Sequence, residues 1–130
     1  MLRTSPRKQL ASASSGITEV VLPHAQDSLN LVLPTLAHLS RQTGSRWLTW
    51  ISPQGVSREM LSEYGFDLSK VRLIHIRNQE ELMWVLWDAL VAGNSQTIVA
   101  SPGKLSDKDL RSLETAAARG NCQGLLIRYR

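Results

Sequence analysis

The chain of 130 residues is long enough for one domain with a modest hydrophobic core. Its formal net charge is +4, but residues 1–15 hold three basic residues and no acid, which leaves +4 − 3 = +1 for the rest of the chain. A nearly neutral folded part gives little support for a nucleic-acid partner. Cys122 is the only cysteine, which excludes an intrachain disulfide and the small secreted domains that depend on such bonds.

The N-terminus is basic but lacks the apolar segment of a signal peptide, and no later apolar run is long enough to cross a bilayer. We therefore predict a cytoplasmic protein. Residues 1–15 are rich in Ser, Ala and Arg without hydrophobic periodicity, so they are predicted to form a disordered basic tail. The alternative for this segment is an organellar transit peptide, which has a similar composition.

Residues 16–130 alternate short β-branched or aromatic runs with helical stretches, a pattern typical of β-α-β units with parallel strands. The sequence therefore predicts a single layered α/β domain. The predicted strands are 18–22, 46–51, 71–76, 97–100 and 124–128. The predicted helices are 27–42, 57–65, 78–92 and 106–120.

Two of the predicted helices have unusual features. Pro34 interrupts the first helix and predicts either a kink or a helix that begins near it, because proline removes a helix hydrogen bond. The third helix has two apolar stripes, so two of its sides need covering. This favours a central helix packed between the sheet and its neighbours. The alternative is a self-association surface, since tryptophan is enriched at interfaces and the second stripe contains Trp84 and Trp87.

The turn after the first strand, residues 23–28, lacks the glycines and the lysine with which a nucleotide-binding α/β protein holds phosphate. Gly103-Lys104 resembles the end of such a loop, but Ile98 stands where the first glycine should be and Leu105 where a magnesium-binding hydroxyl should be. The three histidines are too far apart in sequence to suggest a metal site. The sequence therefore predicts a protein that is not an enzyme and has no catalytic residue, cofactor or metal.

Five segments, in order along the chain, carry a resemblance to a known family: G-I-T-E-V-V at 16–21, S-R-W-L-T-W-I-S at 45–52, V-S-R-E at 56–59, L-S-K-V at 68–71 and A-L-V-A-G-N at 89–94. They resemble the SulA family of bacterial SOS cell-division inhibitors. The closing stretch, 109–128, resembles the last helix and strand of that family. The resemblance covers residues 16–128 and implies a RecA-like three-layer α/β fold, with a mostly parallel five-stranded sheet, that has lost its nucleotide site.

The same resemblance implies a function. The family binds FtsZ, the tubulin-like GTPase of the division ring, on the face that carries its synergy loop, and so blocks both polymerisation and GTP hydrolysis. The family's partner-binding positions correspond to Arg46, Ile51, Met60 and Lys70. Ile51 replaces a leucine and Met60 a tryptophan. A solvated surface charge is the alternative for Arg46 and Lys70, and ordinary helix packing is the alternative for Met60.

Other expectations are less specific. The Lon protease, which reads a C-terminal tail in the enteric members of the family, is a candidate for turnover, but this chain stops at Arg130 without that tail, and its basic N-terminal tail is the alternative degradation signal. A homodimer is a second candidate association. The competing function is a RecA-like remnant that acts as a DNA-repair adaptor or DNA-binding protein, for which the basic tail, Arg72 and Arg77 are the supporting features.

Overall fold

The computed structural model of the protein describes residues 15–25 and 27–130. The predicted tail, 1–15, lies outside the described residues except for Ser15. The strands are β1 (Gly16–Leu22), β2 (Trp47–Ile51), β3 (Val71–Ile74), β4 (Ser95–Ala100) and β5 (Gln123–Tyr129). The α-helices are α1 (Leu33–Ser40), α2 (Arg58–Glu63), α3 (Leu82–Ala92) and α4 (Asp107–Gly120).

The five strands form one sheet in the order β1-β5-β4-β2-β3, and every neighbouring pair is parallel. The predicted mostly parallel five-stranded sheet is confirmed. Because parallel strands all run the same way, each connection must return from the carboxyl edge of the sheet to its amino edge, and the helices make that return. The chain leaves β2 and β4 in opposite directions, so the topological switch point lies between these two strands.

One face of the sheet is covered by α1 and α2. Leu33, Leu36 and Leu61 are fully buried on the helix side of this core. Alternate strand residues meet them, because successive side chains of a strand point to opposite faces. The strand residues of this core are Val20, Leu22, Leu48, Trp50, Val71, Val99 and Ile127.

The other face is covered by α3 and α4, which complete a three-layer domain. The buried side chains of this second core are Ile51, Leu82, Leu86, Leu90, Ile98, Ala100, Leu113, Ala116, Ala117, Cys122 and Leu126. The two helices approach closely near their C-terminal ends. There a Cβ atom added to Gly120 would lie 1.7 Å from the Leu90 carbonyl oxygen, so a residue larger than glycine would force the helices apart.

The predicted helix 27–42 is wrong as a single element. The chain forms a 3₁₀ turn over Ser28–Leu31 and then starts α1 at Leu33, with Pro34 in the first turn. Proline is tolerated there because the N–H groups of a first turn have no partner within the helix. A new start near Pro34 is one of the two outcomes that the sequence predicted.

The third predicted helix begins as a 3₁₀ turn, Gln79–Glu81, before α3. β3 ends two residues earlier than predicted, at Ile74. Within residues 15–25 and 27–130, no helix is both long and apolar enough to cross a membrane.

Candidate functional site

The carboxyl edge of the sheet near β1 is the position of the missing phosphate loop. The turn after β1 closes on itself, because the Ala25 N–H and the Ser28 hydroxyl both donate to the Pro23 carbonyl oxygen, at 2.9 and 2.5 Å. A cleft of ≈ 580 Å³ opens beside this turn, and Asp27 is among its lining residues. The Asp27 carboxylate would repel a phosphate, and the turn has no glycine or lysine to hold one. The residues of this cleft therefore do not suit a nucleoside triphosphate.

The histidines lie apart. His24 makes an edge-to-face contact with the Tyr129 ring at this carboxyl edge, with ring centroids 6.2 Å apart, whereas His38 lies in α1 and His75 follows β3. Across the part of the chain that the structure describes, no three His, Cys, Asp or Glu side chains gather where they could hold a metal ion.

Arg46 lies at the opposite, amino edge of the sheet, immediately before β2. Its guanidinium donates to the carbonyl oxygens of Gly93 (3.3 Å) and Gly120 (3.2 Å) and to the side-chain oxygen of Gln96. Gly93 is the C-terminal cap of α3, and Gly120 is the last residue of α4. One cation therefore satisfies helix-end carbonyls that have no partner within their own helices, and it lies at the negative ends of both helix dipoles.

The alternative of a solvated surface charge is wrong for Arg46. Its side chain is half-buried and has three acceptors inside the protein. Arg46 therefore supports the packing of α3 and α4 as well as reaching the amino edge of the sheet.

Lys70 lies beside Trp47 at the same edge. β2 and β3 pair with Leu48 opposite Val71, so the residues before them, Trp47 and Lys70, are neighbours. A 3₁₀ turn capped by the side chain of Asp67 places Lys70 directly before β3. The Lys70 ammonium donates to the Gly44 carbonyl oxygen at 2.9 Å, which ties the starts of the two strands together.

Trp47 and Arg72 complete the surface. The Trp47 side chain is 38% exposed. The Arg72 guanidinium carbon lies 5.8 Å from the Trp47 ring centroid, within the range of a cation–π interaction. Arg72 also donates to the Asn94 side-chain oxygen (3.2 Å) and to the Ser95 hydroxyl (3.4 Å). We call Arg46, Trp47, Lys70 and Arg72 the amino-edge cluster.

Ile51 and Met60 lie at the carboxyl edge instead. Ile51 ends β2 as predicted, but its side chain is only 1% exposed and packs in the core beneath α3 and α4. The expectation that Ile51 is open to a partner is therefore wrong for this conformation. Met60 is half-buried in α2, packs against the other core and lines the 580 Å³ cleft. The helix-packing alternative for Met60 is therefore correct at least in part.

The four predicted positions do not form one continuous site. Arg46 and Lys70 lie at one end of the strands and Ile51 and Met60 at the other. The five residue-to-residue steps from Arg46 to Ile51 along an extended strand span roughly 17 Å. The sequence indicated Arg72 only as support for DNA binding and did not connect it with Trp47. The strand register, which aligns the starts of β2 and β3, is the feature that would have shown that Trp47 and Arg72 lie close together.

Cys122 lies behind the amino-edge cluster, just before β5. Its side chain is fully buried, and its Sγ donates to the Leu90 carbonyl oxygen at 3.4 Å. Burial raises the pKa of the Cys122 thiol because a thiolate would lose its solvation, and the positive charge of Arg46 opposes that rise. The burial and the raised pKa both favour the protonated thiol over the reactive thiolate at neutral pH.

These features define a three-layer α/β protein with the topology of a nucleotide-binding sheet. The turn after β1 has no phosphate-binding residues, and a half-buried group of cations with an exposed tryptophan lies at the opposite edge. Comparison with known proteins then assigns the chain. The family described as "Cell division inhibitor SulA" matches residues 15–124. The chain belongs to the SulA family of cell division inhibitors.

The relatives agree in sequence and in fold. The cell division inhibitors SulA of Yersinia pestis (strain Pestoides F) and Yersinia pseudotuberculosis serotype O:1b are each 34% identical over 127 residues, which covers 95% of this chain and 74% of the relative. The crystal structure of SulA from Pseudomonas aeruginosa matches with a TM-score of 0.81 at 29% identity, covering 88% of this chain and 98% of that one. The resemblance that the sequence carries is confirmed.

Proposed function

We propose that this protein inhibits cell division as part of the SOS response by binding FtsZ, on the FtsZ face that carries the synergy loop. Membership of the SulA family supports inhibition of division. The single structural observation that supports a binding mechanism is the amino-edge cluster, which exposes a tryptophan between cations on a rigid sheet edge. A protein that binds FtsZ must share a cellular compartment with it, so a cytoplasmic location remains our prediction.

The inhibition needs no chemistry by this chain. Head-to-tail growth of a polymer requires that each subunit have a free joining face. A protein bound to that face removes subunits from the assembling pool by mass action. It also keeps the synergy loop from the GTPase site of the next subunit. We therefore expect stoichiometric inhibition of both polymerisation and GTP hydrolysis.

The amino-edge cluster has the composition of an interface centre. Tryptophan and arginine are enriched among the side chains that carry most of the binding energy of interfaces. The hydrogen bond from Lys70 and the contacts of Arg72 already fix these side chains, so little conformational entropy is lost when a partner binds. The cations would favour an acidic partner surface and speed its association.

Arg46 has a different role in this proposal. Its hydrogen bonds to Gly93 and Gly120 point into the protein, so it holds the ends of α3 and α4 in place behind Trp47. We infer that Arg46 positions the cluster more than it touches FtsZ. Ile51 would act only through core packing, and Met60 would contribute only if FtsZ also reached the carboxyl edge.

The competing function, binding of DNA, has less support. The Arg72 side chain already donates to Asn94 and Ser95 and lies against the Trp47 ring, and the folded part of the chain is nearly neutral, which gives little charge for binding a phosphate backbone. Turnover by Lon also stays a prediction.

GTP-driven sedimentation of FtsZ from the same organism tests the proposal. With increasing amounts of this protein, pelleted FtsZ should fall to near zero at an equimolar ratio, and GTP hydrolysis should fall with it. Unchanged pelleting and hydrolysis at a several-fold excess of the protein would reject FtsZ as the partner.

Matched variants then test which edge of the sheet contacts FtsZ. Trp47→Ala and Lys70→Ala should each weaken inhibition on the order of tenfold, since loss of a central interface side chain costs more than about 1 kcal/mol. Lys104→Ala, an exposed lysine near the carboxyl edge, is the control and should inhibit normally. If Met60→Ala were as defective as Trp47→Ala while both remained folded, the amino edge would not be the main contact.

A further inference from the structure

A second cleft lies at the carboxyl edge of the sheet, beside the ends of β4 and β5, away from the proposed FtsZ contact. Its volume is ≈ 480 Å³. β4 and β5 pair as far as Ala100 and Leu126, after which β4 ends and β5 continues to Tyr129. The loop after β4, residues 101–105, connects to α4 and leaves a gap beside the end of β5. The cleft occupies this gap, at the edge where α/β sheets commonly bind ligands.

Positive charge is concentrated in this cleft. Lys104 reaches it from the loop after β4, and Arg128 and Arg130 reach it from the end of β5. None of the eight lining residues is an aspartate or a glutamate. The concentration is local, because residues 16–130 together carry a formal charge of only +1.

The fold itself does not account for these three cations. Arg46 and Lys70 at the amino edge donate to carbonyl oxygens and so connect separate elements. In contrast, within residues 15–25 and 27–130 the side chains of Lys104, Arg128 and Arg130 make no ion pair or hydrogen bond. Like charges that converge without a partner repel one another, and a cleft lined by one sign of charge concentrates counter-ions. The arrangement therefore favours an anionic ligand.

The loop after β4 is open to a close approach by such a ligand. Gly103 has φ +81°, and a Cβ atom added there would meet no other atom within 4 Å. The Ser101 hydroxyl, which can donate a hydrogen bond, also lines the cleft. The N-terminus of α4 is not part of the site, because the capping box of Ser106 and Asp109 already occupies it.

Acidic residues on both sides of the cleft limit the size of the anion. Asp27 lines the neighbouring cleft of ≈ 580 Å³, and Asp107 begins α4 only three residues after Lys104. An extended polyanion such as a nucleic acid would meet these carboxylates, whereas a small anion would not. Nucleic-acid sites also spread their basic residues along a face rather than gather them at one point. The volume of the cleft is in the range of small-molecule sites.

Tyr129 adds an aromatic wall. Its side chain is 40% exposed and lines both this cleft and the neighbouring one. The edge-to-face contact with His24 supports the ring from the turn after β1. An aromatic ring beside a group of cations suits a ligand that joins an anionic group to an apolar or planar group.

We propose that this cleft binds a small phosphate ester, with the phosphate group among Lys104, Arg128 and Arg130 and the organic group against Tyr129. The planar fork of an arginine matches two phosphate oxygens, and a lysine adds a point charge. This site lies after β4 and β5, so it is separate from the turn after β1, which has no phosphate-binding residues. Because FtsZ is proposed to bind the opposite edge, the two ligands can be tested independently.

An NMR titration of the whole chain with phenyl phosphate tests the site directly. The backbone amide signals of Gly103, Lys104 and Tyr129 should shift and saturate, with a dissociation constant on the order of 1 mM at low salt. The amide of Gly44, which lies beside Lys70 at the amino edge, should not shift. The absence of saturable shifts at the three cleft residues, or equal shifts at Gly44, would overturn the proposal.

Matched variants separate the cleft from the general charge of the protein. Lys104→Ala and Arg128→Ala should each weaken phenyl phosphate binding about fivefold or more, since each removes a charge-assisted hydrogen bond. Both should melt like the wild-type chain because these side chains support no other element. Arg119→Ala removes an exposed base near the end of α4 at the amino edge and should bind normally. Equal losses in Arg119→Ala and Arg128→Ala would contradict a localised site.

Two further probes define the class of ligand. Phenyl phosphate should bind several-fold more tightly than inorganic phosphate, and Tyr129→Leu should remove this advantage while still binding inorganic phosphate. If the two anions bound equally to the wild-type chain, the assignment of Tyr129 to the organic group would be wrong. A single-stranded oligonucleotide should bind more weakly than phenyl phosphate. Tighter binding of the oligonucleotide, lost in Arg128→Ala, would make the cleft a nucleic-acid contact and reject a small phosphate ester.

Discussion

The two edges of the sheet differ in how their side chains are used. At the carboxyl edge, where α/β sheets commonly bind ligands, the turn after β1 closes on its own backbone and an open cleft remains beside it. At the amino edge, long cationic side chains connect separate elements. The single side chain of Arg46, for example, joins the start of β2 to the ends of both α3 and α4. One edge of the sheet therefore has an open cleft, and the other has cationic side chains that hydrogen bonds hold in place.

The difference has a simple physical origin. A phosphate site needs free backbone N–H groups and small residues, and a few substitutions in one turn remove it without disturbing the core. A rigid protein-binding surface needs side chains fixed by neighbours. The amino edge supplies these because helix ends converge there, and their unpaired carbonyls attract cations.

Gly120→Ala should show the largest effect. The added Cβ would lie 1.7 Å from the Leu90 carbonyl oxygen, which is backbone and cannot turn aside, so we expect a loss of about 3 kcal/mol or more. Helix propensity alone predicts the opposite sign, a gain of up to about 1 kcal/mol. Urea denaturation decides between them.

The control for this prediction lies at the carboxyl edge. Gly103 has φ +81°, but a Cβ there would meet no atom within 4 Å, so Gly103→Ala should cost only about 1 kcal/mol of backbone strain. If Gly120→Ala and Gly103→Ala were equally stable, the close packing of α3 and α4 at Gly120 would not be a difference between the two edges.

Arg46→Ala should show the next largest effect. It removes three charged hydrogen bonds and leaves the carbonyls of Gly93 and Gly120 without a partner, which should cost about 2 kcal/mol of unfolding free energy. Arg128→Ala is the matched carboxyl-edge control. Its side chain makes no ion pair or hydrogen bond in the described part of the chain, so its loss should change stability by less than about 0.5 kcal/mol. Equal midpoints of denaturation for the two variants would contradict the role given to Arg46.

Cys122 should give a smaller, pH-dependent effect. Because burial raises the pKa of its thiol in the folded state, the unfolded chain releases this proton first. The resulting stabilisation is complete below the pKa of the unfolded thiol, about 8.5, and is lost as the pH rises above that value. Unfolding free energies at about pH 8 and pH 10 should therefore differ less in Cys122→Ala than in the wild-type chain. If the difference between the two pH values were the same in Cys122→Ala and in the wild-type chain, the thiol would not be desolvated in the folded state.

Much of the fold could be predicted from sequence because the signals are local. Runs of β-branched and aromatic residues predicted all five strands. The helix predicted over 106–120 does begin there, where Ser106 and Asp109 form a capping box. The start of α1 at Leu33 was harder. Hydrophobic spacing continues across Pro34, so only the proline indicated that the helix had to begin again there.

The sites were predicted less completely for a physical reason. The sequence places Arg46 and Lys70 at the starts of predicted strands, but it does not show that the helix ends at residues 93 and 120 meet Arg46. It also placed Ile51 correctly at the end of β2 without revealing that α3 and α4 bury it.

The sequence by itself determined the alternation of elements, the family and the lack of phosphate-binding residues in the turn after β1, because each depends on residues close together along the chain. Only the tertiary structure decided which side chains meet. It separated the four predicted positions into two edges, joined Trp47 to Arg72, and left Trp84 exposed. Such outcomes depend on strand order and helix packing, which bring together residues that are far apart in sequence.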